Sequence, residues 1–332
     1  MVKTLTMKIG NLEIESPVIL APMSGVTDLP FRRLVKSFGA GLVISEMIAS
    51  EAIIRDNRRT LRMASFTPEE FPFAIQLAGC NPKTMAAAAK LNEDRGANII
   101  DINMGCPVKK VVNGEAGSAL MRDLDHARAI LTETVKAVAI PVTLKMRTGW
   151  NDETRNAAEL ARIAEGVGIK MITVHGRTRC QMYRDRSDWA FIRTVKDAVT
   201  LPVIVNGDII SFDDVDTALE KSGADGVMIG RGAYGRPWFV ADVMHYLKTG
   251  ERRRPPPFAK QLATILSHYQ AMLDHYGIEN GLRIARKHLG WYTKGLPNSA
   301  ELRQAMNQMT DTEVVVATLK DFFIPLMDKK AA

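Results

Sequence analysis

Cysteine is scarce. The 332-residue chain holds three, Cys80, Cys106 and Cys180, far apart and odd in number, with no Cys-x-x-Cys pair. That argues against a disulfide framework and a zinc cluster, and for a reducing compartment. Long apolar runs are lacking too. None approaches the ~18 residues of a membrane span, and the N-terminal stretch Met1-Val-Lys-Thr-Leu-Thr-Met-Lys8 has no apolar core followed by small residues. Neither a signal peptide nor a membrane association is expected, and the location implied is the cytoplasm. No Gly-x-Gly-x-x-Gly turn follows the first apolar run, which counts against a dinucleotide-binding open sheet. His175 is accompanied by no second histidine and no carboxylate cluster, so no metal site is expected.

What is present fits a large α/β chain. Hydrophobic residues make up 46% and charged residues 24%, enough for a sizeable core under an ordinary soluble surface. The net charge is +7. That balance suits a polyanionic partner, and equally a mildly basic enzyme without one.

Residues 17–248 repeat a strand-then-helix rhythm. Apolar runs fall at Val18-Ile-Leu-Ala21, Leu42-Val-Ile-Ser45, Phe73-Ala-Ile-Gln-Leu77, Asn98–Ile102, Pro141-Val-Thr-Leu-Lys145, Met171-Ile-Thr-Val-His175, Pro202-Val-Ile-Val-Asn206 and Asp225-Gly-Val-Met-Ile-Gly230. Helical periodicity follows at Asp28–Phe38, from Asn81-Pro82, and at Arg122–Ala139, Thr154–Val167, Trp189–Ala198 and Ser211–Lys221, with a weak pattern at Ala49–Met63. Eight such repeats predict parallel strands closed by right-handed crossovers, a TIM (β/α)8 barrel over residues 1–249. A doubly wound open sheet is the alternative.

The rhythm breaks at 250–257, Gly250-Glu-Arg-Arg-Arg-Pro-Pro-Pro257, which reads as a stiff linker. Beyond it, Phe258–Tyr276, Ile278–Thr293, Ser299–Met309 and Thr312–Met327 are periodic helices without strands, so 258–332 is expected to form a small helical bundle. Over 251–332, 12 basic residues stand against 8 acidic, a net +4. Arg283, Arg286, Lys287, His288, Trp291, Tyr292 and Lys294 place basic residues among aromatics. Such a cluster grips a nucleic-acid backbone, or else belongs to an amphipathic helix with cations outward and rings inward.

In a TIM barrel the functional groups lie at the carboxyl ends of strands. Here those ends carry Pro22-Met23-Ser24-Gly25, Gln76, Asn103 with Cys106, Lys145 with Arg147, His175 with Arg177, Asn206-Gly207-Asp208, and Gly230-Arg231-Gly232. The last two, following strands seven and eight, suit a phosphate. Lys145 in a barrel mouth calls for an anion or an electron-rich ring. Gln76 offers a donor and an acceptor to a heterocycle edge. His175 is open to the roles of base, ligand or hydrogen-bond donor. Cys106 sits in a Gly-Cys-Pro corner: Gly105 permits a bend or a close ligand, and Pro107 disfavours helix at Cys106. The thiol there either packs or does chemistry.

Taken in order, Ala21-Pro-Met-Ser-Gly25, Gln76-Leu-Ala-Gly79, Asn103-Met-Gly-Cys-Pro107, Gly117-Ser-Ala-Leu-Met-Arg122, Lys145-Met-Arg147, His175-Gly-Arg-Thr-Arg179, Asn206-Gly-Asp-Ile209 and Gly230-Arg-Gly232 resemble the tRNA-dihydrouridine synthases, most of all their bacterial B-type branch. The resemblance spans nearly the whole chain. It implies an RNA-binding, FMN-dependent oxidoreductase that reduces the C5=C6 bond of a D-loop uridine in tRNA with NADPH as electron donor; the branch implies position 17, and no protein partner is expected, so the chain is expected to be a monomer. It assigns Pro22, Met23, Ser24, Gln76, Lys145, His175, Asn206, Gly207, Asp208, Gly230 and Arg231 to the flavin. By the same resemblance Cys106 is the proton donor and Asn103 and Arg147 hold the uracil; Arg177, Lys109 just after the Cys loop, and Arg286 and Lys287 in the basic cluster are expected as further substrate contacts. One position departs: the family places Gly two residues after the tyrosine of the His-Gly-Arg loop, where this chain has Asp185 after Tyr183.

The thiol chemistry agrees. An ordinary thiol, with a pKa of about 8.5, is mostly protonated at neutral pH and serves as a general acid. A nucleophilic cysteine would want a neighbouring base, and none adjoins Cys106 in sequence. Two alternatives keep the fold: a flavin barrel reducing a free pyrimidine or dihydroorotate, and a nucleic-acid-binding protein without chemistry.

Overall fold

A computed structural model describes residues 6–55 and 57–328; the outermost residues of the expected barrel and helical regions, and Asp56 within Ala49–Met63, lie outside the described set. Eight parallel strands form the barrel: β1 (Val18–Leu20), β2 (Leu42–Ile44), β3 (Phe73–Ala78), β4 (Ile99–Met104), β5 (Val142–Arg147), β6 (Ile172–His175), β7 (Val203–Asn206) and β8 (Gly226–Ile229). Each pairs with the next, β8 returns to β1, and the Val43–Phe73 register joins β2 to β3, so the sheet closes. Strands three to five are buried along their full length, as strands covered by helices outside and packed within must be.

The helices start where the sequence supplies caps. Asp28 accepts from the Phe31 N–H at 3.0 Å and opens Leu29–Ser37. Asn81 caps Pro82–Asp94, with proline at its first position. Ser211 and Asp214 form a capping box for Phe212–Ser222. Each supplies a side-chain acceptor to an amide that the helix itself cannot pair. Asp123 does the same for Leu124–Ala137, which explains why helix begins there and not at Arg122; Gly117–Arg122 is a 3-10 turn. The weak pattern at Ala49–Met63 resolves into two short helices, Ser50–Ile54 and Arg58–Met63. The helix expected from Thr154 begins at Ala157, because Thr154 closes a turn on Asn151. Strands four and five run two residues further than their apolar runs, so that Asn103 and Arg147 lie on strands.

Ahead of the barrel stands an antiparallel hairpin, Met7–Ile9/Leu12–Ile14, too short to show as an apolar run. Its Met7, Ile9 and Ile14 join Ile19, Leu42, Ile99 and Ile204 in one buried cluster. Gly10 at its tip lies against Pro141 and Lys170, just before β5 and β6. The hairpin therefore plugs the amino end of the barrel and leaves the carboxyl end for chemistry. The helix Phe239–Thr249 was also not anticipated.

The chain divides into two compact units, Met1–Gly232 with Trp238–Glu251, and Ala233–Pro237 with Arg252–Ala332. The second contains Phe258–Tyr276, Ile278–Tyr292, Ser299–Gln308 and Thr312–Asp328, around Ile265, Met272, Leu289, Met306, Leu319 and Phe323. His268 and His288 are buried in it, and His268 Nδ1 lies 2.9 Å from the Tyr292 hydroxyl. Burial drives the pKa of both histidines down, to about 3 for His268, so both are neutral at physiological pH. Among the described residues, no helix is long and apolar enough to cross a membrane.

Candidate active site at the barrel mouth

Strand side chains alternate, and every second residue enters the barrel. Near the plugged end these are apolar: Ile19, Leu42, Ala74, Ile99 and Ile204. Towards the open end the same faces turn polar. Gln76 is level with Asp101, Asp101 with Thr143, Asn103 with Lys145, Arg147 with His175, and His175 with Asn206. The predicted strand-end residues of the barrel thus converge on one mouth.

Cys106 leaves β4 partly buried, and its backbone is held from two sides. Asn103 Oδ1 accepts from the N–H groups of Gly105 (3.1 Å) and Cys106 (2.8 Å). The Cys106 carbonyl accepts from both the N–H (3.1 Å) and the hydroxyl (2.9 Å) of Ser118. Gly117, at φ +62°, lets that segment close in; a Cβ there would lie 2.8 Å from the Cys106 carbonyl oxygen. Arg147 Nε donates to the Gly105 carbonyl at 2.8 Å. Gly105 itself is not in the left-handed region, and a Cβ on it would rest on the Met146 backbone at 3.4 Å. The corner is therefore shaped by Asn103 rather than by glycine flexibility.

Asn103 and Gln76 are less free than the sequence implied. Asn103 Nδ2 donates to Gln76 Oε1 (2.8 Å), and Gln76 Nε2 donates to Asp101 Oδ2 (2.7 Å). Asp101, fully buried, also accepts from the Thr143 hydroxyl at 2.6 Å. Burial raises the Asp101 pKa against these hydrogen bonds.

Four cations crowd the mouth. Burial, reinforced by Arg147, lowers the Lys145 pKa to about 8 despite the pull of Asp101. Burial also lowers Arg147 to about 10. His175 is driven well below its ordinary value by burial and then by Arg147, Lys145, Arg177 and Arg231. Its Nε2 faces Arg177 Nη1 at 3.2 Å. An arginine only donates, so Nε2 accepts and the ring proton resides on Nδ1. His175 is a neutral hydrogen-bond donor, neither base nor cation.

The loops after β7 and β8 meet at Asp208. Gly207, at φ +113°, comes so close to Ser187 that a Cβ would fall 2.3 Å from the Ser187 oxygen. Asn206 Nδ2 donates to the Met228 carbonyl at 2.8 Å. Asp208 accepts from Arg231 Nη2 (2.8 Å), Arg177 Nη2 (2.5 Å) and the Ser187 N–H (2.9 Å). Its carboxylate thus holds two arginines, one of them at the predicted phosphate loop. Arg231 is half exposed. Gly230 faces the Met23 sulfur; Pro22 and Met23 are partly buried and Ser24 is exposed.

Arg177 also differs from expectation. It is 1% exposed, and it donates to the Arg184 and Asp185 carbonyls as well as to Asp208. It ties down the 178–186 loop and offers no free head to substrate. Within that loop, Asp185 stands at φ +59°, a left-handed backbone that glycine adopts without penalty. The exposed Tyr183 ring lies 5.5 Å from the Arg147 guanidinium and 5.7 Å from that of Arg231.

Two features escaped the sequence reading. At the end of β2, Glu46 accepts a short hydrogen bond from the Gly25 N–H, and Ser45 Oγ accepts from the Gln76 N–H at 3.0 Å. Only the 21-residue separation hid the Glu46 link. At the rim, the guanidiniums of Arg122 and Arg179 both lie over Trp150, at 4.4 and 4.7 Å.

Of the other expected contacts, Lys109 is exposed on the short helix Lys109–Val112. In the helical unit Arg283 and Lys294 are exposed and Lys287 is partly buried, while Arg286 donates to the Met309 carbonyl at 3.1 Å. His288 and Tyr292 are buried and cannot stack on a ligand; Trp291 stacks on Tyr234 at 4.0 Å. The mixed basic and aromatic cluster is therefore mainly an amphipathic helix with its rings turned inward.

Residues 19–326 match the family model described as dihydrouridine synthase. A probable tRNA-dihydrouridine synthase of Rickettsia bellii (strain RML369-C) is 58% identical over 324 residues, 97% of this chain and 99% of that protein. The tRNA-dihydrouridine synthase B of Xanthomonas axonopodis pv. citri (strain 306) is 48% identical over 321 residues, 97% of each. Among solved structures, a 2-naphthoyl-CoA reductase complex aligns with a TM-score of 0.58 at 13% identity, over 74% of this chain and 52% of that one. A 6-hydroxypseudooxynicotine amine oxidase from Pseudomonas geniculata N1 aligns with a TM-score of 0.58 at 12% identity, over 80% and 52%. The chain spans about half the length of these two, and the likeness is one of fold.

Proposed function

The chain belongs to the dihydrouridine synthase family, and on that premise we propose that it reduces the C5=C6 bond of a tRNA uridine to 5,6-dihydrouridine, using FMN and drawing electrons from NADPH. The observation that carries the reading is the Cys106 corner, clamped by Asn103 and Ser118 beside two buried cations.

The mouth's own chemistry fits a flavin. Lys145 is buried without an ion-pair partner among the described residues, and the Thr173 hydroxyl, level with it, has no hydrogen-bond partner. Both are the kind of group that a polar ring would satisfy. Arg231, steadied by Asp208, stands at the loops suited to a phosphate. In this reading Lys145, Gln76 and the His175 Nδ1–H face the ring, Met23 and Gly230 flank it, and Asn206, Gly207, Gly230 and Arg231 hold the ribityl phosphate. The chemistry that FMN would supply there is hydride donation to uracil C6.

The protein's part is positioning and proton delivery. Asn103 Nδ2 and Arg147 orient the uracil. The Cys106 S–H gives its proton to C5, beside the buried side chains of Lys145 and Arg147. The target base must leave its stack to reach the mouth. Lys109, Arg122 and Arg179 on the barrel, and Arg283, Arg286, Lys287 and Lys294 on the helical unit, supply cations for the RNA backbone. The 258–332 region acts as the tRNA-binding domain and 250–257 as its linker. A single copy carries the entire mouth, so a monomer in the cytoplasm, where tRNA resides, suffices. Likeness to B-type relatives supports position 17 of the D-loop.

Purified protein with FMN, NADPH and an unmodified tRNA transcript should form dihydrouridine, detectable by mass spectrometry of nucleosides. Turnover of free uracil with none of tRNA would replace this reading by that of a free-pyrimidine reductase.

A further inference from the structure

A chain of hydrogen bonds runs from the barrel interior to the thiol corner, and its direction is fixed at both ends. At the top, the backbone N–H groups of Gly105 and Cys106 only donate, so Asn103 must turn Oδ1 towards them. Its Nδ2 then faces Gln76, which must present Oε1. Gln76 Nε2 is left facing Asp101, an acceptor, itself held by Thr143. All four side chains are buried, from 0% exposed at Asp101 to 7% at Asn103. No amide in this series can flip without setting two donors or two acceptors against each other.

We propose that Asp101 is a positioning residue that sets the hydrogen-bond polarity of the mouth, so that Asn103 keeps one unspent function, an Nδ2–H, and selects a carbonyl edge over an amino edge. Asn103 Oδ1 already accepts two N–H groups, and one Nδ2 hydrogen is used on Gln76. What remains is a lone donor. Uracil offers an oxygen at C4; cytosine offers an amino group there, which would leave two donors opposed. This selection rests on the reading of Asn103 as the base-facing residue; the polarity of the chain does not.

The test reverses the chain. In Asn103→Asp the carboxylate still accepts from Gly105 and Cys106, but it faces Gln76 as a second acceptor, and Gln76 cannot satisfy it and Asp101 together. Adding Asp101→Asn supplies an amide that donates to a flipped Gln76 and accepts from Thr143. The double variant has the wild-type composition with its carboxylate moved.

N103D should lower the melting temperature of the holoprotein by roughly 5 °C, as one opposed buried acceptor pair implies. The D101N/N103D protein should regain at least half of that loss. In binding competition, the preference for a transcript with uridine over one with cytidine at the modified position should fall about tenfold in the double variant, which presents an acceptor. Additive melting shifts, or a double variant that does not fold, would overturn the proposal. If N103D alone does not fold, a folded double variant is itself the rescue. Rescue with an unchanged preference would overturn the selection step and the base-facing role of Asn103 while leaving the polarity chain standing; rescue with the tenfold fall supports both.

Discussion

Lys145 should make flavin capture pH-dependent in a range where few other groups titrate. Its ammonium is buried, and desolvation, with repulsion from Arg147, brings its pKa to about 8. Below that pH the free protein presents the Lys145 charge to an incoming anionic ligand; above it this lysine is neutral. With a pKa of about 8, roughly half the molecules carry the charge at pH 8 and about a tenth at pH 9. If the charge is needed for binding, the FMN dissociation constant of apoprotein should double between pH 7 and 8 and rise about tenfold by pH 9. Arg147, lowered to about 10, contributes little in that window. Quenching of FMN fluorescence on titration with apoprotein reads the constant directly. Lys145→Met should bind at least about tenfold more weakly at pH 7, with no dependence on pH up to 9. A constant that stays level through pH 9 in wild type, or a Lys145→Met protein that keeps the wild-type rise, would refute the role given to this lysine.

Removing Arg231 should weaken FMN retention, since its guanidinium is the half-exposed cation at the loops after β7 and β8; Arg231→Ala retaining flavin through gel filtration as wild type does would contradict the phosphate assignment. The helical unit should weaken in acid. His268 and His288 are neutral when folded, with pKa values lowered from the ordinary 6.5 by burial, so the unfolded chain binds protons that the folded one does not. Stability is therefore intact above pH 6.5 and is lost as pH falls below it, by about 2 kcal/mol at pH 5 for His268, with His288 adding to the loss in the same direction. Amide exchange in Ile278–Tyr292 should report this loss, and replacing both histidines with glutamine should flatten it.

The barrel was legible because its strands are covered on both faces and so read as apolar runs, and because a polar residue ending such a run has little structural reason to be there. Lys145 and His175 stand out in that way, and the structure places both at the barrel mouth. Pairing across the sequence was not legible. Arg147 and Arg177 look alike as strand-end arginines, yet Arg177 is spent on two loop carbonyls and on Asp208, 31 residues on. Asp208 reads as part of a phosphate loop, and only the fold shows its carboxylate between two arginines. Glu46 follows an apolar run as any loop acid might, and its link to Gly25 exists only in the fold. The left-handed backbone of Asp185, a residue with a side chain, is visible only in the fold. In the helical unit, composition could not distinguish rings that face solvent from rings that pack, and His288 and Tyr292 pack.

The central claim is that the Cys106 thiol delivers the proton. Its direct test is single-turnover reduction of tRNA by Cys106→Ala holoenzyme already reduced with NADPH. The variant should bind flavin and take up electrons from NADPH as wild type does, yet form dihydrouridine at least about 100-fold more slowly, the usual contribution of a positioned general acid. Dihydrouridine formed at the wild-type rate, or a variant that fails to hold flavin at all, would contradict it.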